Sequence, residues 1–267
     1  MPENGLVGLQ ELAETLEAVL LTPYIAHERP VSLLIVSKPE AGKTQMLKLY
    51  RSNKGIVYLT DATAYGLVRD VLPKLVNGEV KTIMIADLIT PLSRSTKTRK
   101  NFIAFLNNLV EEGVAKVTTY STVWEREVKA NVITAVTDQE IRDGRHEWAK
   151  MGFLSRFLIF SYSYPLDIVR KILEFYSTNP PQFAPVKLKI PNREVDVHLP
   201  REIADKLDPL ATAIGQKLGL YGFRCKVNFR SLLKAFALRN GRREVEPEDL
   251  ENLYRKSRWF NLDLNPI

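Results

Sequence analysis

Three observations predict an α/β fold, a mostly parallel sheet flanked by helices, followed by a smaller helical domain. Short apolar runs of the kind found in buried parallel strands recur at Val31–Val36, Lys81–Ala86, Asn131–Val136 and Phe157–Tyr162. Helical patterns and long connections separate them, as crossover units require. Beyond Pro180-Pro181 the strand-like runs give way to helical periodicity. A chain of 267 residues with 45% apolar and 26% charged residues is long enough to bury a sizeable core and is not disordered.

In chain order, residues 8–21 put Leu9, Leu12, Leu16, Val19 and Leu20 on one helical face, with glutamates on the other. The strand at 31–36 runs into a Pro/Gly-containing turn and a helix over Lys43–Arg51. Residues 55–59 read as a second strand and Ala64–Val76 as a helix. After the strand ending at Asp87, the basic stretch Ser93–Lys100 reads as a loop and Phe102–Glu111 as a helix. Weak alternation over 114–129 suggests a hairpin. Ser177–Pro181 reads as a hinge, Val186–Leu199 as a small β-hairpin, and 200–218, 229–239 and 247–259 as helices. Pro200 and Pro247 fit helix starts, and Asn240-Gly241 a helix stop. The expected organisation is a lead-in over 1–30, a core over 31–165, a linker over 166–200 and a helical domain over 201–267.

The 38 Lys and Arg against 31 Asp and Glu give a net charge of +7, which favours a polyanionic partner but equally suits a merely soluble surface. Cys225 is alone, which excludes a disulfide framework, and His27, His146 and His198 lack metal-ligand spacing. Met1-Pro2-Glu3-Asn4 opens no secretory signal, and no apolar run approaches the roughly 20 residues that span a bilayer. A soluble intracellular (cytoplasmic) protein with no membrane partner is expected.

Ser37-Lys38-Pro39-Glu40-Ala41-Gly42-Lys43-Thr44 matches the phosphate-binding P-loop pattern, except that Ser37 stands where the first glycine belongs. The chemistry needs backbone N–H groups curled around phosphate at a helix N-terminus. Gly42 allows close approach, Lys43 reaches the β- and γ-phosphates, and the Thr44 hydroxyl ligates Mg²⁺. The strand before and the helix after supply the required context. Thr82–Asp87 supplies the companion element, an apolar strand ending in an aspartate that holds Mg²⁺ with Thr44. ATP and Mg²⁺ are the expected ligands. Leu88 follows, at the position where many such ATPases place a water-activating glutamate, so slow hydrolysis is expected unless Glu40 or Asp61 positions water.

These residues resemble the AAA+ superfamily, and within it the ATPase module of the minichromosome maintenance replicative helicases. Ala41–Tyr50, including Gln45, is similar to their P-loop and following helix, and Thr63–Leu67 to the start of their next helix. Leu154-Ser155-Arg156-Phe157 is similar to their Leu-Ser-Arg-Phe signature. The resemblance implies that Arg156 is an arginine finger reaching a neighbouring subunit's γ-phosphate, with Arg142 and Arg145 as alternatives. It also implies that Thr137 stands at the sensor-1 asparagine position and that Arg230 is the sensor-2 arginine of a lid. Read from the residues alone, Arg156 is either such a trans finger or a salt-bridging arginine. The resemblance covers residues 31–165 and 225–257 and implies a homo-oligomer, a hexameric ring or filament, acting on DNA in replication or mobile-element biology. No stretch matches the N-terminal DNA-binding domain of those helicases. A protein-remodelling switch or a nucleotide-binding scaffold is the alternative.

Two basic stretches suit nucleic acid: Arg94, Lys97, Arg99 and Lys100, then Lys116, Arg126 and Lys129 with Tyr120 and Trp124 interleaved. In related ring ATPases hairpins near the second stretch line the central channel. A solvated loop with a core Trp124 is the other reading. A third cluster, Arg239, Arg242, Arg243, Arg255, Lys256 and Arg258, either faces DNA or pairs with Glu244, Glu246, Glu248 and Glu251.

Overall fold

The computed structural model describes residues 6–112, 117–119, 122–124, 128–178 and 183–267. Five strands form one all-parallel sheet: β1 (Leu33–Ser37), β2 (Ile56–Leu59), β3 (Thr82–Ile85), β6 (Asn131–Thr137) and β7 (Leu158–Ser161). Their order is β2-β3-β6-β1-β7. The predicted hairpin is present as the antiparallel pair β4 (Val117–Thr119) and β5 (Thr122–Trp124).

Side chains alternate across the pleat and feed two cores. Leu33, Ile35, Met84, Ile133 and Ala135 face one core, with α1 (Gln10–Leu21) and α2 (Lys43–Tyr50). Leu34, Val36, Ile83, Ile85, Val132 and Val136 face the other. That second core is covered by α4 (Leu72–Val76), α5 (Ile89–Leu92), α6 (Thr96–Glu112) and α7 (Asp138–Lys150), while α3 (Ala64–Gly66) buries no residue. A π-turn over Leu67–Val71 joins α3 to α4. Asn131, fully buried at the start of β6, satisfies its amide completely. It donates to the carbonyls of Val19 (2.9 Å) and Val31 (2.8 Å) and accepts from the Thr82 hydroxyl (2.7 Å). A polar residue thus opens a buried strand at little cost.

Four helices follow the linker: α9 (Arg201–Asp205), α10 (Leu207–Lys217), α11 (Phe223–Arg239) and α12 (Pro247–Ser257). Phe229, Leu232, Leu233, Phe236 and Leu253 lie in the same core as α1 and the sheet, so these helices share its interior. The glutamates of α1 reach the same helices: Glu17 pairs with Arg239 at 2.6 Å, and Glu11 and Glu14 with the fully buried Lys256.

Three expectations change. Thr96–Lys100 is helical, because the α6 N-terminus starts there: Arg99 N–H donates to Ser95 O at 2.9 Å, beside a Ser95–Thr98 hydroxyl contact. Val186–Leu199 forms no hairpin. It runs as an extended strap tied by Val186 N–H to Leu49 O (2.8 Å), by Leu188 N–H to Asn53 Oδ1 (2.8 Å) and by Val195 N–H to Tyr24 O (2.8 Å). Its backbone groups are satisfied by the main body, which removes the need to pair with itself. The stretch read as the start of the linker is α8 (Leu166–Thr178), a helix with no fully buried side chain among its described residues.

Candidate functional site

β1 delivers Ser37 to the carboxyl edge of the sheet, between β6 and β7. The chain leaves β1 toward the β2 side, while the β6–β7 connection passes to the other side; in open α/β sheets the crevice that commonly holds a ligand lies beyond the carboxyl ends of such strands. The turn after Ser37 takes positive φ at Glu40 (62°) and Gly42 (83°), and Gly42 directly precedes α2. A Cβ at residue 42 would sit 3.1 Å from Leu6 and 3.3 Å from Leu9, on a backbone side chains rarely adopt. Ser37 is different. It is the last strand residue, in register with Thr137, and lies outside the positive-φ positions, so it does not need to be glycine.

Lys43 folds back into this turn. Its ammonium donates to Ser37 O (2.9 Å), Ser37 Oγ (3.1 Å) and Lys38 O (2.8 Å). The Ser37 hydroxyl therefore supplies an acceptor that glycine lacks. Burial lowers the Lys43 pKa below the ordinary lysine value, while Glu140, Asp138 and Asp87 pull it back upward. From the far side, the Tyr162 and Tyr164 hydroxyls both donate to Ala41 O, at 2.5 and 3.1 Å. Burial raises the pKa of each phenol, so both remain protonated donors at neutral pH. Pro39 and Ala41 complete the turn, and Thr44 is exposed and Gln45 half-buried at the start of α2.

Asp87 leaves the end of β3 exposed, with Oδ1 accepting the Ile89 N–H at 3.0 Å. Leu88 turns the other way and is fully buried in the second core, so it presents nothing to the crevice. Thr137 caps α7: its hydroxyl accepts from Glu140 N–H (3.2 Å), and the Glu140 carboxylate accepts from Thr137 N–H (2.6 Å). Asp61 pairs with Arg94 and lines a separate cavity of about 270 Å³ with Thr63 and Asp70. The carboxylates that act on Lys43 are therefore Asp87, Asp138 and Glu140, not Asp61 or Glu40.

Arg156 and Arg230 stand elsewhere. Arg156 stands two residues before β7, whose first residue, Leu158, donates its N–H to Ser32 O at 2.8 Å, so it lies at the amino edge of the sheet. The length of β1, on the order of 13 Å at the usual rise, separates that edge from Lys43. Arg156 and Arg224 both pair with Glu111. Arg230 and Lys234 share the buried Glu28, at 3.0 and 2.8 Å. Glu28 and Arg29 precede β1, so this cluster belongs to the same amino edge.

No protein-family model matches the chain, and no curated protein does. The site stands on its own geometry.

Of the candidate nucleic-acid residues, Arg94 pairs with Asp61, Arg99 with Glu147 (3.0 Å) and Lys129 with Glu194 (2.9 Å). Lys97 and Lys100 are exposed on the first turns of α6. Lys116, Tyr120 and Arg126 lie outside the described residues. In the third cluster Arg239 pairs with Glu17, Arg242 with Asp249 and Glu246, and Arg255 and Lys256 with Glu11 and Glu14, so of the glutamates expected as partners only Glu246 takes part in these pairs. Arg142 pairs with Asp138 at 2.7 Å, and Arg145 lines a cavity of about 100 Å³ beside Leu154 and Leu220. No helix among the described residues is long and apolar enough to cross a membrane.

Sequence reasoning missed Asp138, Glu140, Tyr162 and Tyr164. The capping box Thr137-x-x-Glu140 was a readable signal. The tyrosines carried none, because their meeting with Ala41 is a product of strand order.

Proposed function

We propose that the chain binds ATP with Mg²⁺ at Ser37–Thr44 and acts as an AAA+-type ATPase in an assembled state. The observation that carries this reading is Lys43, a buried ammonium held by loop carbonyls at a strand-to-helix turn on the carboxyl edge of a parallel sheet. A phosphate there offers stronger, charge-assisted acceptors than carbonyls do, so the ammonium gains by exchanging them. The exposed Thr44 hydroxyl and Asp87 carboxylate are hard oxygen ligands that suit Mg²⁺, an ion that takes its remaining ligands from phosphate and water. When bound, Mg²⁺ supplies charge neutralisation at the β- and γ-oxygens. Gly42 and the following N–H groups of α2 orient the phosphates. Tyr162 and Tyr164 fix the loop carbonyl that would otherwise turn toward the anion.

Leu88 leaves the crevice without a carboxylate at the usual water-activating position, which supports slow turnover. Arg156 lies on the opposite edge, paired with Glu111, and its distance from the loop supports a reading in which it leaves Glu111 to serve a neighbour's nucleotide and not its own. A contact of this kind links assembly to nucleotide state. Among the described candidates DNA contact falls to Lys97 and Lys100, since Arg94, Arg99 and Lys129 are already neutralised by carboxylates.

Sedimentation with a non-hydrolysable ATP analogue tests the reading. Wild type should assemble, and Arg156→Ala should bind nucleotide normally while assembling poorly. Mixing Arg156→Ala with Lys43→Ala subunits joins one intact loop to one intact arginine and should recover activity. A chain monomeric in all nucleotide conditions, with no recovery in mixtures, contradicts the trans arrangement.

A further inference from the structure

A cavity of about 100 Å³ lies where the sheet body meets the C-terminal helices. Leu154 and Ile159 wall it on the β7 side, Leu218 and Leu220 on the side of α10, and Leu262 closes it from the C-terminal segment. Leu154 and Ile159 are buried, whereas Leu218, Leu220 and Leu262 stay half-buried. Leu218 packs against both cores at once, so the cavity sits on the seam between them. Aliphatic walls hold water poorly, and an apolar cavity of roughly 150 Å³ takes a molecule the size of benzene. On that scale about four carbons fill this one.

One charge stands at its rim. Arg145 of α7 is exposed and lines the cavity together with the equally exposed Ala149, one helical turn on. The residues three and four places from Arg145 are Ile141, Arg142, Trp148 and Ala149, so its own helix offers it no anion. The carboxylates of α7 are engaged elsewhere: Asp138 with Arg142 (2.7 Å), Glu140 in the Thr137 cap, Asp143 with Gln139 (2.9 Å) and Glu147 with Arg99 (3.0 Å). Among the described residues no carboxylate pairs with Arg145. Ser155, the other polar group on the wall, is already satisfied. Its hydroxyl donates to Gly152 O at 3.0 Å and accepts from Arg224 at 2.9 Å. The free donor is therefore a guanidinium at the mouth of an aliphatic cavity.

We propose that this cavity binds a short aliphatic monocarboxylate, its chain among the leucines and its carboxylate on the Arg145 guanidinium. A planar carboxylate matches the guanidinium fork through two charge-assisted hydrogen bonds. One guanidinium balances one negative charge, which favours a monocarboxylate over a phosphate dianion. The volume sets the length: a tail of about four carbons lies inside, with the carboxyl carbon at the rim. The site is separate from the Ser37–Thr44 turn and needs no nucleotide, so it stands or falls apart from the ATP reading. A bound chain touches Leu154 on the sheet side and Leu218 on the helical side. It braces that joint, and the ligand should raise the unfolding temperature in proportion to its occupancy.

The test titrates propanoate, butanoate, pentanoate, hexanoate and octanoate into the full chain, followed by NMR of the leucine and isoleucine methyl groups. Shifts should saturate at Leu154, Ile159, Leu218 and Leu220. Affinity should rise about fourfold per added methylene until the cavity is full, then level off. Pentan-1-ol, an uncharged chain of the same length, should bind about tenfold more weakly than pentanoate. Arg145→Gln should weaken pentanoate by about that tenfold and leave pentan-1-ol unchanged. Ala149→Phe should close the mouth and abolish both. Both substitutions are at exposed positions, so folding should be kept, and circular dichroism verifies it. Absence of any saturable shift overturns the proposal, as does an affinity that still climbs from hexanoate to octanoate, the mark of surface adsorption. Pentanoate binding equally to wild type and Arg145→Gln removes the carboxylate anchor and the proposal with it. Unchanged binding by Ala149→Phe places the ligand elsewhere and overturns it too.

Discussion

Lys43 holds three acceptors of its own loop while burial works against its charge. Its pKa is lowered, so the unfolded chain binds the more protons between the folded value and the ordinary 10.5. Stability therefore gains from this residue as pH rises across that window. Lys43→Met should flatten that gain, measured by urea unfolding at neutral and alkaline pH against wild type. Glu111 works with the opposite sign. Burial raises its pKa, but hydrogen bonds and charge from Arg224 and Arg156 outweigh this, and the net shift is downward. Its contribution is complete above the ordinary value of 4.5 and is lost as pH falls through the lowered one. Glu111→Gln should cost about 1 kcal/mol at neutral pH, screened by solvent at its rim, and the deficit should vanish in acid. A deficit that persists at low pH would show that packing, and not charge, explains Glu111. At this scale Gly42, Lys43 and Asp87 were legible because spacing and residue type carry the signal. Asp138, Tyr162 and Tyr164 were not, since each acts through a partner distant in sequence.

Among the elements, α1 joins the C-terminal helices to the sheet through its polar face as well as its apolar one. Lys256 of α12 is fully buried against Glu11 and Glu14. Lys256→Met should destabilise the fold by about 2–3 kcal/mol, because two carboxylates lose their cation inside a packed contact. Thermal unfolding checks this, and a neutral effect would mean that water replaces the ammonium there. The sheet strands and α1, α2, α10 and α12 were readable from periodicity, caps and Pro or Gly punctuation. The start of α6 was hidden because its first turns are basic and exposed, with no apolar period. α8 was hidden because its apolar face meets solvent, and the strap over 186–199 because alternation alone cannot say which partner an extended chain will choose.

For the whole molecule, the parallel sheet puts two charged systems on opposite edges, the Lys43 turn on one and the Arg156–Glu111–Arg224 cluster on the other. Order along the chain predicted that α/β architecture. It did not show that α1 and the C-terminal helices share one core with the sheet, since that depends on contacts between the two ends of the sequence. With Leu88 buried away from the crevice, ATP turnover should stay below about 1 per second, the slow end for enzymes, as read by phosphate release. Faster turnover would mean that another carboxylate near Lys43, Asp138 or Glu140, activates water in place of the one missing at Leu88.

The central claim is that Lys43 exchanges loop carbonyls for nucleotide phosphate. Calorimetric titration of the Mg²⁺–ATP complex into wild type and Lys43→Ala measures this directly. Wild type should bind one nucleotide per chain, and Lys43→Ala should bind roughly 10- to 100-fold more weakly, the loss expected for charge-assisted hydrogen bonds. Equal affinity in the two proteins, or no binding by wild type, would contradict the account.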